Sequence, residues 1–391
     1  MSVVAEVPLP PFWRRPLLRD ILWQTVIPLL LIAAIWFFVR NAGANLEKSS
    51  LVFGGSFLGG IASFELGSNL VGFAAGDPVY KALLVGIVNT LHVSVVAIVL
   101  ATLLGILVGV ARLSSNPLAA GLSRIYVEVA RNVPLLLQLL FWYALITRAL
   151  PSPRQAWELL PGFFLTNRGL NLPLPGPEPV YGWMLLAFAS ACVLVLGMEW
   201  RARRRPQSMP HRASRRPLRL ALLVGAPALV FVLGGMPVSL DVPVMRGFGF
   251  HGGLSLPPEY VALLLGLTLY TGAFIAEIVR GGILGVHRGQ IEAAEALGLS
   301  RGQCLRKIVL PQAMQIIVPP LGSQYVSLLK NSSLAVAIGY PDIVRVSTVV
   351  ISETGHAIEM IGVMMIVYLL LSLITSALVN LYNRAVTREA R

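Results

Sequence analysis

The feature that most constrains this chain is a series of apolar runs, each about as long as a bilayer's hydrocarbon core is thick. A helix needs roughly 20 mostly apolar residues to cross about 30 Å of hydrocarbon. Eight runs qualify: 21–39, 84–111, 134–150, 181–199, 219–236, 258–278, 312–330 and 358–381, the seventh interrupted by Pro319 and Pro320. Charged residues make up 13% of the 391 and hydrophobic ones 56%, too little charge to cover a soluble surface. The expectation is an all-α polytopic membrane protein with about eight transmembrane helices. The first run, about 19 residues behind Arg14, Arg15 and Arg19, is longer than a signal peptide's apolar region and reads as an uncleaved anchor.

The net charge of +13 is a topology signal. With the N-terminus inside and eight crossings, the cytoplasmic Lys and Arg are three in the N-terminal arm, three in 112–133, eight in 200–219, five in 280–311 and three after 381, or 22 of 31. Both termini are then cytoplasmic. Basic charge so placed fits anionic lipid headgroups and argues against nucleic acid. The run from Arg201 to Arg219, broken by Pro206, Pro210 and Pro217, reads as a flexible polybasic connector. Stretch 41–80, with short apolar patches such as Leu51-Val52-Phe53, reads as an outward loop with interfacial helical pieces, and 151–180, with seven prolines, as an irregular outward loop. Gly247-Phe248-Gly249-Phe250-His251-Gly252 has the form G-x-G-x-x-G but lacks the strand–helix setting of a dinucleotide site. Cys192 and Cys304 read as unpaired thiols, and His92, His251, His287 and His356 share no ligand spacing, so no metal is expected.

The informative stretch runs from Glu292-Ala293-Ala294-Glu295-Ala296-Leu297-Gly298 to Ile308-Val309-Leu310-Pro311, between the sixth and seventh runs. Residues 290–297 are strong helix formers, and Gly298 stands where a left-handed residue would end that helix. Ser300-Arg301-Gly302-Gln303 is a capping box opening a second short helix, which Pro311 stops or hands on to the next span. Two short helices on a glycine bend, projecting into the cytosol, can transmit force. Ala293 and Ala294 keep one face slim, Glu292 supplies charge, and Leu297 and Leu299 offer apolar anchors. Two leucines so buried contribute about 3–6 kcal/mol before association costs. Glu277 and Arg280, three apart, pair on one helix face.

No G-x-x-x-x-G-K-[ST] phosphate loop is present, so any ATP must be hydrolysed elsewhere. Span interiors hold almost none of the paired carboxylates that an ion-coupled carrier needs, and no clustered His or Asp for a membrane enzyme.

The string Glu292, Ala293, Ala294, Gly298, Ile308, Leu310 and Pro311 resembles the E-A-A motif of permease subunits of bacterial ABC importers. Tyr126, Glu128, Arg131, Asn132 and Pro134 are similar to the inward loop of the polar amino acid importers. Leu329-Lys330-Asn331-Ser332-Ser333-Leu334, Asn89-Thr90-Leu91 and Ser94 are similar to segments of the same group. Phe164-Leu165-Thr166-Asn167-Arg168-Gly169-Leu170 resembles an insertion in the branch for general L-amino acids (glutamate, glutamine, aspartate and asparagine among them).

The resemblance implies a type I, MetI-like permease fold in the bacterial inner membrane, without catalysis of its own. An ATP-binding subunit dimer, which binds ATP and Mg, would dock on 280–311, with Leu297 among the contacts. A second, related permease would complete a heterodimer, and an extracytoplasmic binding protein would deliver the amino acid. Residues 1–80 would be an arm, first helix and outward loop; 81–382 the permease domain with an insertion at 151–257; and 383–391 a tail. Lys330, Asn331, Ser332 and Ser333 would line the translocation path, because ionisable groups at membrane depth and the unpaired N–H groups of a broken helix suit an α-carboxylate.

Overall fold

The computed structural model describes residues 16–48, 54–67, 70–176, 178–203, 216–236 and 239–389. Arg14 and Arg15, the Leu51-Val52-Phe53 patch, and Arg204, Arg205, Arg212 and Arg215 of the polybasic connector lie outside them.

Twelve helices form the described frame: α1 Pro16–Lys48, α2 Val79–Ala111, α3 Pro117–Asn132, α4 Leu135–Ala149, α5 Pro179–Arg203, α6 Arg216–Leu233, α7 Pro258–Leu284, α8 Arg288–Ala296, α9 Arg301–Cys304, α10 Leu310–Asn331, α11 Ile343–Thr354 and α12 Ala357–Glu389. Each of the eight expected spans falls on one of them, but only α1, α2, α7 and α12 are long and apolar enough to cross alone. Two bent pairs raise the number to six: α3 with α4, at 107°, and the α9–α10 stretch with α11, at 48°. The apolar parts of α5 and α6, Pro179–Val195 and Leu218–Leu233, are shorter.

α2 and α7 make the central pair, joined by small residues that let their backbones approach. Gly105 and Gly109 of α2 lie against Ile275, Ala276 and Val279 of α7. Around them α4 packs Leu139 on Gly266, α10 packs Ile317 on Gly282, and α12 packs Val379 on Gly322. Lipid gives no hydrophobic drive between helices, so this close fit holds the bundle. α5 and α6 pack on each other, with Gly234 at the end of α6 meeting Val180. α1 buries none of its apolar stretch Ile21–Asn41.

The expectation of an irregular loop over 151–180 is overturned. Strands β1 Trp157–Leu160, β2 Phe163–Thr166 and β3 Gly169–Leu172 form an antiparallel meander. β4 Leu174–Pro175 pairs with β5 Leu240–Asp241, and β6 Val244–Arg246 pairs with β7 Gly249–His251. β8 Leu254–Leu256 closes the first sheet beside β3. Strands of two to four residues are too short to show alternation, and the β3–β8 register joins positions that only the fold brings together. Gly247 and Phe248 form the two-residue turn between β6 and β7, and no helix follows, so no dinucleotide site is built there.

Pro319 and Pro320 do not break the seventh run: α10 continues from Leu310 to Asn331 through both. Pro319 and Pro320 leave the Gln315 and Ile316 carbonyls without their helical donors, which neighbouring groups in a bundle can replace. The real bend follows, through a 3₁₀ turn at Ser332–Ile338 and Gly339 at φ +83°.

Candidate functional site

The glycine bend is built as its residues dictate. His287 caps α8, its Nδ1 accepting from the Gly289 N–H at 3.1 Å. At the other end the Leu299 N–H donates to the Ala294 carbonyl at 3.1 Å and the Gly298 N–H to Glu295 at 2.9 Å, with Gly298 at φ +73°. These two bonds are a Schellman closure. Ser300 and Gln303 then complete the expected capping box: the Ser300 N–H donates to Gln303 Oε1 at 3.0 Å and the Gln303 N–H to Ser300 Oγ at 3.4 Å. α9 does not stop at Pro311. A single π turn at Leu305–Val309 carries the chain into α10, whose first turn holds Pro311. The widened turn suits a proline that cannot donate to the carbonyl four residues back.

Two side-chain expectations change. Ala294 is wholly buried, and Ile291, Leu299 and Ile308 pack with it on Val286, Cys304, Val309 and Ala313. The slim alanine therefore seats α8 on its own bundle, and Leu299 is not a free anchor. Glu292, Ala293, Leu310 and Pro311 face outward, and Leu297 at the bend is 80% exposed. Leu297 therefore stands outward at the corner that the Gly298 bend closes, beside Glu292 and opposite the buried Ala294.

The expected inward loop is helix α3 and its joint with α4. Asn116 caps α3, and the face carrying Val127 and Ala130 packs on Ala273 and Ala276 of α7. The Tyr126 hydroxyl donates to the Leu269 carbonyl at 2.6 Å, and the Arg131 guanidinium lies 5.0 Å over the Phe274 ring. Gln138 reaches back, its amide donating to the Ala130 and Val133 carbonyls at 2.9 Å each, so two carbonyls at the α3–α4 joint gain a donor. Pro134 stands at the N-cap of α4; Glu128 and Asn132 face outward. The polar residues that read as a loop are one side of an amphipathic helix.

The four expected path residues close α10 and open the 3₁₀ turn. Lys330 is exposed and Asn331 half-buried. Ser332 is buried and donates to the Leu329 carbonyl at 2.7 Å; Ser333 donates to Lys330 at 2.7 Å. Both hydroxyl protons thus return to their own backbone, leaving Lys330 and Asn331 as the groups turned outward.

Sequence reasoning named Asn89 and Thr90 only by resemblance and missed the contacts they make next to the four path residues. Asn89 donates to the Pro341 carbonyl at 3.0 Å, Thr90 Oγ1 accepts from the Ile343 N–H at 3.1 Å, and Tyr340 donates to the Asn89 carbonyl at 3.3 Å. Asp342, fully buried, caps α11 by accepting from the Arg345 N–H at 2.8 Å and faces the Tyr368 hydroxyl at 3.4 Å. A polar pair inside an apolar run, Asn89-Thr90, was the available signal. At the other end of α2, Glu277 pairs with Arg280 as expected and also with Arg112.

The model of the binding-protein-dependent transport system inner membrane component matches residues 101–391. The chain belongs to this family. Among its relatives, the general L-amino acid transport system permease protein AapQ of Rhizobium johnstonii is 43% identical over 378 residues, 94% of this chain and 92% of that protein. The putative amino-acid ABC transporter permease protein YhdX of Escherichia coli is 43% identical over 374 residues, 95% of each. The glutamate/glutamine/aspartate/asparagine transport system permease protein BztB of Rhodobacter capsulatus is 38% identical over 403 residues, again 95% of each. As a member of the binding-protein-dependent permeases, the chain is a multi-pass amino-acid ABC transporter permease with the MetI-like fold. Its work is transport rather than catalysis, and ATPase and substrate-binding partners go with the family in general.

Proposed function

We propose that the chain forms one half of the path of an inner-membrane importer of polar and acidic L-amino acids and their amides, driven by a separate ATPase dimer docked on α8 and α9. The carrying observation is the rigid corner at Leu297: an exposed leucine and Glu292 on a glycine-closed bend whose other face is locked to the bundle through Ala294. A corner that is both exposed and locked passes a push from below into α7 and α10. One buried leucine contributes about 1.5–3 kcal/mol to such docking before association costs.

ATP and Mg belong to the docked subunits on this reading, a second related permease completes a heterodimer, and an extracytoplasmic binding protein delivers substrate. On this reading, supported by the charge excess along the sequence, both termini and α8 are cytoplasmic and the strands β1–β8 lie outside. Lys330 and Asn331, at the outer end of α10, supply the cation and amide that an incoming α-carboxylate meets. The acidic and amide preference draws support from the name of the Rhodobacter relative.

The test is co-purification of the ATPase with the membrane complex. Glu292→Lys combined with Gly298→Asp releases the ATPase while the permease stays in the membrane; retention at the wild-type level rejects the docking surface. Uptake of labelled glutamate, glutamine and a cationic amino acid by the reconstituted complex tests the substrate class separately.

A further inference from the structure

Where α2 stops and α3 starts, at the same end of the bundle as α8, the chain forms a partly open cavity of about 280 Å³. Arg112 and Leu113 line it from the end of α2, Pro117, Gly121 and Arg124 from α3, and Arg280 from α7. Glu277 is the acid beside them, shared between Arg112 and Arg280. Among the described residues Arg124 has no ion pair. Three guanidiniums against Glu277, and against Glu128 one turn along α3 from Arg124, leave the cavity with a surplus of one positive charge. Guanidinium forks match phosphate and carboxylate oxygens, and phosphate is the anionic group that every phospholipid headgroup carries.

A second observation names the rest of the ligand. Beside the cavity α3 exposes Leu118 at 68%, Leu122 at 61%, Ile125 at 59% and Val129 at 58%, a strip at helical spacing. A basic cavity opening beside an apolar strip fits a molecule with a phosphate at one end and hydrocarbon at the other. We propose that this cavity holds the phosphate of an anionic phospholipid headgroup, whose acyl chains lie along the α3 strip. With α8 cytoplasmic, the lipid belongs to the inner leaflet. The site would anchor the α2–α3 corner beside the coupling segment, whichever amino acid is carried.

Native mass spectrometry of the purified permease complex, titrated with phosphatidylglycerol or phosphatidylcholine, reads the site. One phosphatidylglycerol should be held in preference to phosphatidylcholine, and Arg124→Gln should weaken it about fivefold, the equivalent of about 1 kcal/mol per basic residue at a membrane surface. Arg148→Gln, at the far end of α4, should bind as wild type. Leu122→Gln keeps every cation and should also weaken the lipid, which separates a lipid from a free anion. Unchanged phosphatidylglycerol binding by Arg124→Gln overturns the proposal. So does displacement of the lipid by inorganic phosphate with Leu122→Gln behaving as wild type, which would make the ligand a soluble anion.

Discussion

At Gly298 the backbone stands at φ +73°, and nothing lies within 4 Å of where a Cβ would be. The position is constrained by conformation and not by space. Gly298→Asn should therefore be tolerated, while Gly298→Ala should cost about 1 kcal/mol of local stability and Gly298→Val more. ATPase co-purification should fall in the order Gly, Asn, Ala, Val; a valine variant as competent as wild type would remove the strain argument. Lys330 offers a second single-residue test. Its ammonium is exposed, whereas the Ser333 hydroxyl donates to the Lys330 carbonyl at 2.7 Å. Lys330→Met should lower uptake of acidic amino acids at normal membrane levels, and Ser333→Ala should leave it close to wild type. Equal uptake by both variants would take Lys330 out of the path.

Between elements, the decisive joint is the corner after α10. Gly86 of α2 admits Ile343, whose Cα would lie 2.8 Å from an added Cβ, and Asn89 holds the Pro341 carbonyl. Asn89→Leu leaves that carbonyl without its side-chain donor, at about 1–3 kcal/mol. A lower melting temperature of the detergent-solubilised complex is the expected readout, and an unchanged one would show that the joint is not stressed. The elements differed in how far they could be read. α8, its glycine closure and the capping box were legible, because each rests on residues within a turn of one another. α3 was not, because Tyr126, Glu128, Arg131 and Asn132 are as polar as a loop, and helicity shows only once Val127 and Ala130 have α7 to pack on. The short strands were invisible for want of length.

Over the whole molecule the core lies along α2, α7 and α10, while α1 stands apart with its apolar stretch unburied. Deleting residues 1–50 should leave the melting temperature and ATPase retention of the remaining chain near wild type. Collapse of the truncated protein in the membrane would mean that α1 is part of the fold. Sequence was enough to show that this chain lives in a membrane, which eight apolar runs become helices, and how the bend at Gly298 closes. Apolar length and capping are local properties, written over twenty residues or fewer. Only the tertiary structure decided that Arg112 meets Glu277, 165 positions on, and that Asn89 meets Pro341, 252 positions on. In lipid, a helix face turned to hydrocarbon and one turned to protein are equally apolar, so the pattern along the chain does not say which faces meet until close packing selects them.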